Sequence, residues 1–440
     1  MSLSDKIRDY LSGAPPAVFA AYAMIAAFST YFSMYAFRKP FSAGVYESFA
    51  AITLPGVGPI KYKTLLIIAQ VLGYCLSKFI GIKVISEMNA SRRALTLLGC
   101  IGVAWSALLL FAVIPAPYNI LCLFVNGLPL GMIWGLTFGF LEGRKLSDIL
   151  GAGLSVSYIV ASSVVKAVGL WMIELGVPEV WMPFTTGAVF ALPMGLFVFL
   201  LASLPPPSEE DVASQSAREP MDGVARSAFF REYLVGLASL TGLYVLLTAY
   251  RDFRDNFSTE IWMELGYKDE ALKLVTAGSE LPAAVWVFGM LAVLAIIRSN
   301  RKSLIAVHWV MLSGTVCIGV STALFQAGLL GPVAWMMLIG LGLYAGYVPF
   351  GCVLFDRLLA TVGAVGTAGF LIYVTDAFGY LGSVGLMLYK DLLYQPASGE
   401  GPQWLSFFFT ISYLTSIVCT ALYLVSLLYF SRVTRASSPD

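Results

Sequence analysis

The sequence is short of charge, of histidine and of any paired-cysteine spacing. Only 12% of its 440 residues are Asp, Glu, Lys or Arg, and the formal net charge is +1. So few charges cannot assemble the basic surface that a nucleic acid needs. The single histidine, His308, excludes a multi-histidine metal site; beside Trp309 at the start of an apolar run, it reads as an interfacial side chain. The six cysteines (Cys75, Cys100, Cys122, Cys317, Cys352 and Cys419) all fall inside apolar runs without CxxC spacing. They are expected to behave as small hydrophobes, joined by neither disulfide nor metal. No GxxxxGK[ST] segment occurs, so ATP is not expected as an energy source. No nucleophile with a base and an orienting acid is recognisable, which speaks against an enzyme, and no cofactor is implied.

What the chain has instead is apolar length: 58% of its residues are hydrophobic. Runs of roughly 18 to 25 residues, each able to cross about 30 Å of hydrocarbon as a helix, follow one another from start to end. Twelve are expected, centred near Ala27, Gly73, Trp105, Gly131, Val160, Leu192, Leu240, Phe288, Thr315, Leu341, Val374 and Ile417. The start, Met1-Ser2-Leu3-Ser4-Asp5-Lys6, is polar, and the first run is too long for a cleaved signal. The protein reads as all-α and integral to a membrane, with the lipid bilayer as its solvent.

Between the sixth and seventh runs lies the one long polar stretch, 205–226, containing Pro205-Pro206-Pro207-Ser208-Glu209-Glu210-Asp211. It reads as a linker between halves 1–204 and 227–440, each of six spans. That layout is the one secondary transporters build from two repeats around a midplane site. With the N-terminus in the cytoplasm, the inside segments collect most of the Lys and Arg, among them Lys6, Arg8, Arg92, Arg93, Arg144, Lys145, Arg298 and Arg301. Both termini and the linker are therefore expected to be cytoplasmic, in a bacterial-type inner (plasma) membrane.

The exceptions cluster after span 1 (Arg38, Lys39, Lys61, Lys63) and after span 7 (Arg251, Arg254, Lys268, Lys273), equivalent places in the two halves. An Arg at such depth costs at least about 2.5 kcal/mol unless it faces a cavity or a partner. Its planar fork fits a phosphate or carboxylate with two hydrogen bonds. Arg38 from one half and Arg251 from the other are candidates to hold one small-molecule anion, with Tyr35 beside Arg38. The bland alternative is snorkelling or local pairing, and for Arg251 the local partner would be Asp255, four residues on. For Lys39 and Arg254 both readings stay open.

Two further lysines stand within apolar runs. Lys78 lies about fourteen residues into its run, roughly 20 Å deep at 1.5 Å per residue, and Lys166 follows the polar stretch Ser155 to Ser163. Both are candidate substrate-binding residues, with an ion pair to Glu280 or Asp376 as the structural alternative. Those two acids, at the start of span 8 and the middle of span 11, are either such partners or protonatable coupling groups. Glycines recur at three- or four-residue spacing (Gly127, Gly131, Gly135; Gly366, Gly369, Gly379, Gly382, Gly385), a pattern that lets helices approach closely. Tyr31, Tyr35, Tyr344 and Tyr347 fit either a polar cavity or an interfacial aromatic belt.

Four segments resemble one family. Tyr31-Phe32-Ser33-Met34-Tyr35-Ala36-Phe37-Arg38-Lys39-Pro40-Phe41 is similar to a tyrosine-rich first span ending in Arg-Lys. Gly73-Tyr74-Cys75-Leu76-Ser77-Lys78-Phe79-Ile80 is similar to a Gly-Phe-Ser-Lys-Phe-Ile segment and precedes Asn89-Ala90-Ser91-Arg92-Arg93. Arg251 is followed by Phe257-Ser258, and Gly366-Thr367-Ala368-Gly369-Phe370 by Phe378-Gly379-Tyr380-Leu381-Gly382-Ser383. Together these resemble the organophosphate:phosphate antiporters of the major facilitator superfamily, the glycerol-3-phosphate and hexose-phosphate transporters. The resemblance implies the major facilitator fold, with twelve helices in two six-helix halves acting as a monomer. It also implies antiport of a small organic anion, phosphorylated or carboxylated, by rocking of the halves. One related family member senses instead of transporting, so a membrane receptor for such an anion is the alternative. The family carries a histidine in span 5; here Tyr158 to Ser163 has none, and Lys166 lies nearby. Phe140-Leu141-Glu142-Gly143-Arg144-Lys145 also departs from the family pattern after span 4, as in a separate bacterial group of facilitator-like proteins.

Overall fold

The computed structural model describes residues 2–56, 58–86, 88, 90–142, 144, 146–208, 211, 223–362, 368–394 and 403–436. Most of the expected linker 205–226, with Asn89, Gly143, Lys145, Gly366 and Thr367, lies outside the described residues. The chain folds as α1 Leu3–Ser12, α2 Pro16–Met34, α3 Tyr62–Ser86, α4 Ala90–Val113, α5 Ile120–Leu130, α6 Ile133–Phe138, α7 Ser147–Glu174 and α8 Met182–Ala202. It continues as α9 Gly223–Glu232, α10 Leu234–Asn256, α11 Ser258–Glu264, α12 Asp269–Gly278, α13 Leu281–Ile296 and α14 Asn300–Gln326. The last helices are α15 Pro332–Tyr347, α16 Phe355–Val362, α17 Ala368–Leu392 and α18 Gln403–Ala436.

Among the described residues eleven helices are long and apolar enough to cross a membrane. They account for every expected run except the one near Val374, which falls on the 25-residue helix α17. The all-α membrane architecture is thus as the apolar runs dictate. A short antiparallel hairpin, β1 Ile52–Leu54 with β2 Gly58–Ile60, is an addition the hydropathy pattern did not signal. Its turn needs Gly56 at φ +76° and Gly58 at φ +117°, conformations that a Cβ would strain.

The span 8 boundary differs from expectation. The sequence puts Glu280 at the start of span 8, yet α12 runs on into α13 as one candidate span, Asp269–Ile296. The break between them at Ser279-Glu280 places Glu280 at the N-terminal end of α13, preceding Pro282 in its first turn.

Two compact units are resolved. The first comprises Met1–Gln215, Asp255–Gly278 and Met387–Leu393; the second comprises Ser216–Arg254, Ser279–Leu386 and Tyr394–Asp440. The first unit therefore includes the end of α10, all of α11 and α12, and the last turns of α17. Close helix approach through glycine is visible in both units. A Cβ on Gly127 would lie 2.3 Å from the Gln70 carbonyl oxygen, and one on Gly382 would lie 2.5 Å from the Val245 side chain. Gly385 belongs to the same sequence pattern but meets nothing within 4 Å, so its spacing is not explained by packing.

Candidate functional site

In the first unit, span 1 ends as a turn of 3₁₀ helix, Tyr35–Phe37, whose loosened carbonyls are met by buried amides. Asn126 Nδ2 donates to the Phe37 carbonyl at 3.0 Å and Gln70 Nε2 to the Arg38 carbonyl at 2.8 Å. Gln70 also donates to Asn126 Oδ1 at 2.7 Å. These bonds from α3 and α5 satisfy orphan carbonyls of the helix end and fix where Arg38 begins. The Arg38 guanidinium lies over the Tyr74 ring at 3.9 Å and near Tyr35 at 5.7 Å, and the residue is 6% exposed. Stacking on aromatic faces in this way is a guanidinium habit.

The next residue, Lys39, meets Asp255 at the end of α10. Lys39 Nζ is 2.7 Å from Asp255 Oδ2 and donates to Asn256 Oδ1 at 2.9 Å. Lys166 of α7, 1% exposed, reaches the same carboxylate at 2.8 Å, the Asp255 backbone carbonyl at 2.5 Å and Ser258 Oγ at 2.8 Å. Ser162, one turn before Lys166, donates to Asp255 Oδ1 at 2.6 Å. A second buried pair, Lys63 of α3 with Glu260 of α11, stands at 2.5 Å, with the Lys63 ammonium 5.4 Å from the Phe257 ring. Lys273 of α12 pairs with Glu174 of α7 and with Glu270. Three lysines and two carboxylates are thus packed where a lone charge would be costly, and each is compensated by a partner.

Outside the spans, Glu179 accepts from the backbone amides of Val45 and Tyr46 at 2.8 and 3.1 Å. Burial, and then the Glu179 and Tyr62 charges, push the Tyr46 phenol well above its ordinary range. Tyr46 is therefore neutral and acts as packing against Tyr62 and Phe49.

The second unit holds a separate network. Arg251 donates through Nε and Nη2 to Asp252 Oδ1 at 3.2 and 2.8 Å, and its guanidinium lies 4.4 Å from the Tyr347 ring centroid. Asp252 Oδ2 accepts from Ser383 Oγ at 2.8 Å. The Tyr244 and Tyr347 hydroxyls are 2.9 Å apart, and Tyr244 also donates to Asp376. Arg254 meets Glu280 at 2.5 Å and the Met336 carbonyl at 2.9 Å. Gly340 leaves room for that pair, since a Cβ there would lie 3.0 Å from Arg254 Nη2 and 3.1 Å from Glu280 Oε2.

Several expectations are corrected by this geometry. The expected local partner of Arg251, Asp255, is taken by Lys39 and Lys166, and Arg251 turns to its neighbour Asp252. Lys166 is paired with neither Glu280 nor Asp376: Glu280 goes to Arg254 and Asp376 accepts from Tyr244. Lys78 is half-buried on α3, with its ammonium 5.3 Å from the Tyr74 ring. His308 faces protein and not lipid headgroups: it is 1% exposed, with Nδ1 at 2.8 Å from the Leu304 carbonyl and Nε2 at 3.0 Å from Ser426 Oγ. Tyr31, Tyr35, Tyr344 and Tyr347 are all buried, which removes the lipid-facing belt reading for them. The role of Asp255 as a shared acceptor, and of Glu260, escaped the sequence reading. The available signal was the surplus of cations after span 1 facing the acids after span 7.

The sequence profile of a family of unknown function, DUF5690, matches residues 40–433. No curated protein matches the chain by sequence. Solved structures do match over almost the whole length. A D-xylose-proton symporter is 14% identical, with TM-score 0.61, covering 91% of this chain and 97% of its own. The human organic anion transporter MFSD10 (TETRAN) is 16% identical, with TM-score 0.56, covering 94% and 100%. A bacterial homologue of the human drug peptide transporters PepT1 and PepT2 is 14% identical, with TM-score 0.61, covering 94% and 98%. The chain has the fold of these transporters.

Proposed function

We propose that this chain, which belongs to the DUF5690 family, is a secondary transporter of a small organic anion, phosphorylated or carboxylated. Arg38, Arg251, Lys166, Lys78 and Tyr35 would serve as its binding residues. The fold supports the transporter part, because the solved proteins that share it over nearly their full lengths are a D-xylose-proton symporter, an organic anion transporter and a bacterial homologue of drug peptide transporters. The observation that favours an anion is the pair of arginines seated on tyrosine faces, the buried Arg38 on Tyr74 and the partly buried Arg251 on Tyr347. Guanidiniums so placed combine a fixed plane with donors suited to a phosphate or carboxylate. Resemblance of the Arg38–Lys39 and Arg251 segments to the organophosphate:phosphate antiporters supports the same substrate class, with exchange as the mode of transport.

Asp376 is the candidate coupling group, since its hydrogen bond from Tyr244 sits in the network that contains Arg251 through Tyr347. Glu280 is better read as structural, because Arg254 occupies it.

The reading is tested in two steps. Purified protein is screened for thermal stabilisation by organic phosphates and carboxylates, and the best anion is used for counterflow in proteoliposomes. Stabilisation with saturable counterflow supports a transporter. Stabilisation without counterflow identifies a receptor instead, and stabilisation only by neutral solutes overturns the anion assignment.

A further inference from the structure

We infer that α1 is an interfacial helix whose apolar stripe is inserted into the bilayer leaflet on the side of the N-terminus. At the helical 3.6-residue period, Leu3, Ile7 and Tyr10 fall on one face, Leu11 and Ser4 at its edge, and Asp5, Asp9 and Ser12 on the opposite face. The helix is well started: Ser2 Oγ accepts from the Asp5 amide at 3.2 Å, while Asp5 Oδ2 accepts from the Ser2 amide at 2.9 Å.

Its position is fixed by membrane spans at two points. At its C-terminal end only Gly13, Ala14 and Pro15 separate it from the span that begins at Pro16, a tether of roughly 10 Å at full extension. On its flank, Leu11 is buried, Ser203 Oγ is 3.0 Å from Ser4 Oγ, and Arg8 donates to the Ala202 carbonyl at 3.4 Å, at the end of α8. Because α8 is itself a candidate span, Met182–Ala202, these contacts hold α1 at the depth where a span leaves the hydrocarbon.

With that flank seated, Leu3 and Tyr10 remain 64% and 68% exposed. Such exposure of a large apolar stripe needs a cover, and a helix pinned beside two span ends has the headgroup–acyl boundary next to it. The charges agree. Lys6, on the flank beside Tyr10, can snorkel to the headgroups, while Asp5 and Asp9 face away from the stripe. Two cations are balanced by two carboxylates on α1, so attachment depends on apolar burial and not on anionic lipid.

The test uses the full-length protein in phosphatidylcholine nanodiscs, with an environment-sensitive fluorophore on single introduced cysteines. The variants are Leu3→Cys, Tyr10→Cys and Asp9→Cys, and the wild-type chain labelled in parallel supplies the background of its own cysteines. At positions 3 and 10 the emission should shift to the blue, with quenching by lipid-attached nitroxide and several-fold weaker quenching by iodide than at position 9. Adding phosphatidylglycerol should leave these ratios unchanged. Equal iodide quenching at all three positions would put the helix in water and overturn the inference. Protection of positions 3 and 10 from both quenchers would overturn it as well, assigning the stripe to a second copy or another protein.

Discussion

Lys166 holds Asp255 twice, at the carboxylate at 2.8 Å and at the backbone carbonyl at 2.5 Å, while Lys39 takes the other carboxylate oxygen at 2.7 Å. The asymmetry of this arrangement ranks its mutants. Asp255→Asn removes the carboxylate from two buried ammoniums at once, whereas Lys166→Met leaves Asp255 with Lys39. Breaking a buried pair by deleting one partner costs about 3–5 kcal/mol, so Asp255→Asn should fall in that range and Lys166→Met below it. The unfolding temperatures of the purified variants, measured side by side, check the order; a Lys166→Met variant less stable than Asp255→Asn would contradict it.

Arg254 gives a second prediction, opposite to what its position near an apparent outer loop suggests. Sequence reading leaves it free to contact substrate or to matter little, yet it is 3% exposed and bonded to Glu280 and the Met336 carbonyl. Arg254→Ala leaves Glu280 buried beside Gly340 without its cation, again a loss on the order of 3–5 kcal/mol. Gly340→Ala should destabilise too, by about 1–3 kcal/mol as overpacking does, because the new methyl would crowd both members of the pair. Thermal unfolding of both variants, compared with Gly385→Ala, where the added carbon meets nothing within 4 Å, is the measurement.

How much of this could be read beforehand depends on distance along the chain. The spans were legible because each is one uninterrupted apolar run, a local signal that length alone resolves. Arg38, Lys39, Arg251 and Lys166 were legible as charges out of place. Their partners were not, because pairing is decided by which helix ends meet in space, and the local rule of four-residue spacing named Asp255 for Arg251. Lys39 and Lys166 come from 216 and 89 residues earlier in sequence and took that acid instead. His308 shows the same limit, since its partner Ser426 lies on α18.

The capping box of α1 makes a prediction about pH. Hydrogen bonds from the Ser2 side chain and backbone, the larger causes, hold the exposed Asp5 carboxyl below its ordinary value, with Arg8 assisting. A carboxylate with a depressed folded-state pKa stabilises the helix above the unfolded value and loses that contribution as pH falls through the folded one. The start of α1 should therefore stay intact at neutral and mildly acidic pH and fray only below the usual aspartate value of about 3.9. Asp5→Asn should behave at neutral pH as the acidified wild type does. Amide hydrogen exchange of residues 3–7 against pH, corrected for intrinsic rates, tests this; fraying that sets in near pH 6 would assign it to another group.

The prediction that bears most on function concerns the two tyrosine-seated arginines. Arg38→Lys and Arg251→Lys both keep a positive charge, but an ammonium lacks the planar fork and the flat face that lies on Tyr74 or Tyr347. If each guanidinium contributes charged hydrogen bonds to a bound anion, either replacement should weaken anion binding by about 1.5–3 kcal/mol, the scale of such a bond, which is roughly ten- to 150-fold in affinity. Arg251→Lys also loses part of its grip on Asp252, so a stability measurement must accompany the binding isotherm to separate the two effects. Arg38 is the cleaner probe, since its backbone is fixed independently by Gln70. Isotherms for the anion found in the thermal-shift screen, recorded for both Lys variants and for Lys78→Met, decide the matter. Unchanged affinity in Arg38→Lys and Arg251→Lys, with the fold intact, would remove both arginines from the binding site and leave Lys166 and Lys78 as the remaining cationic candidates.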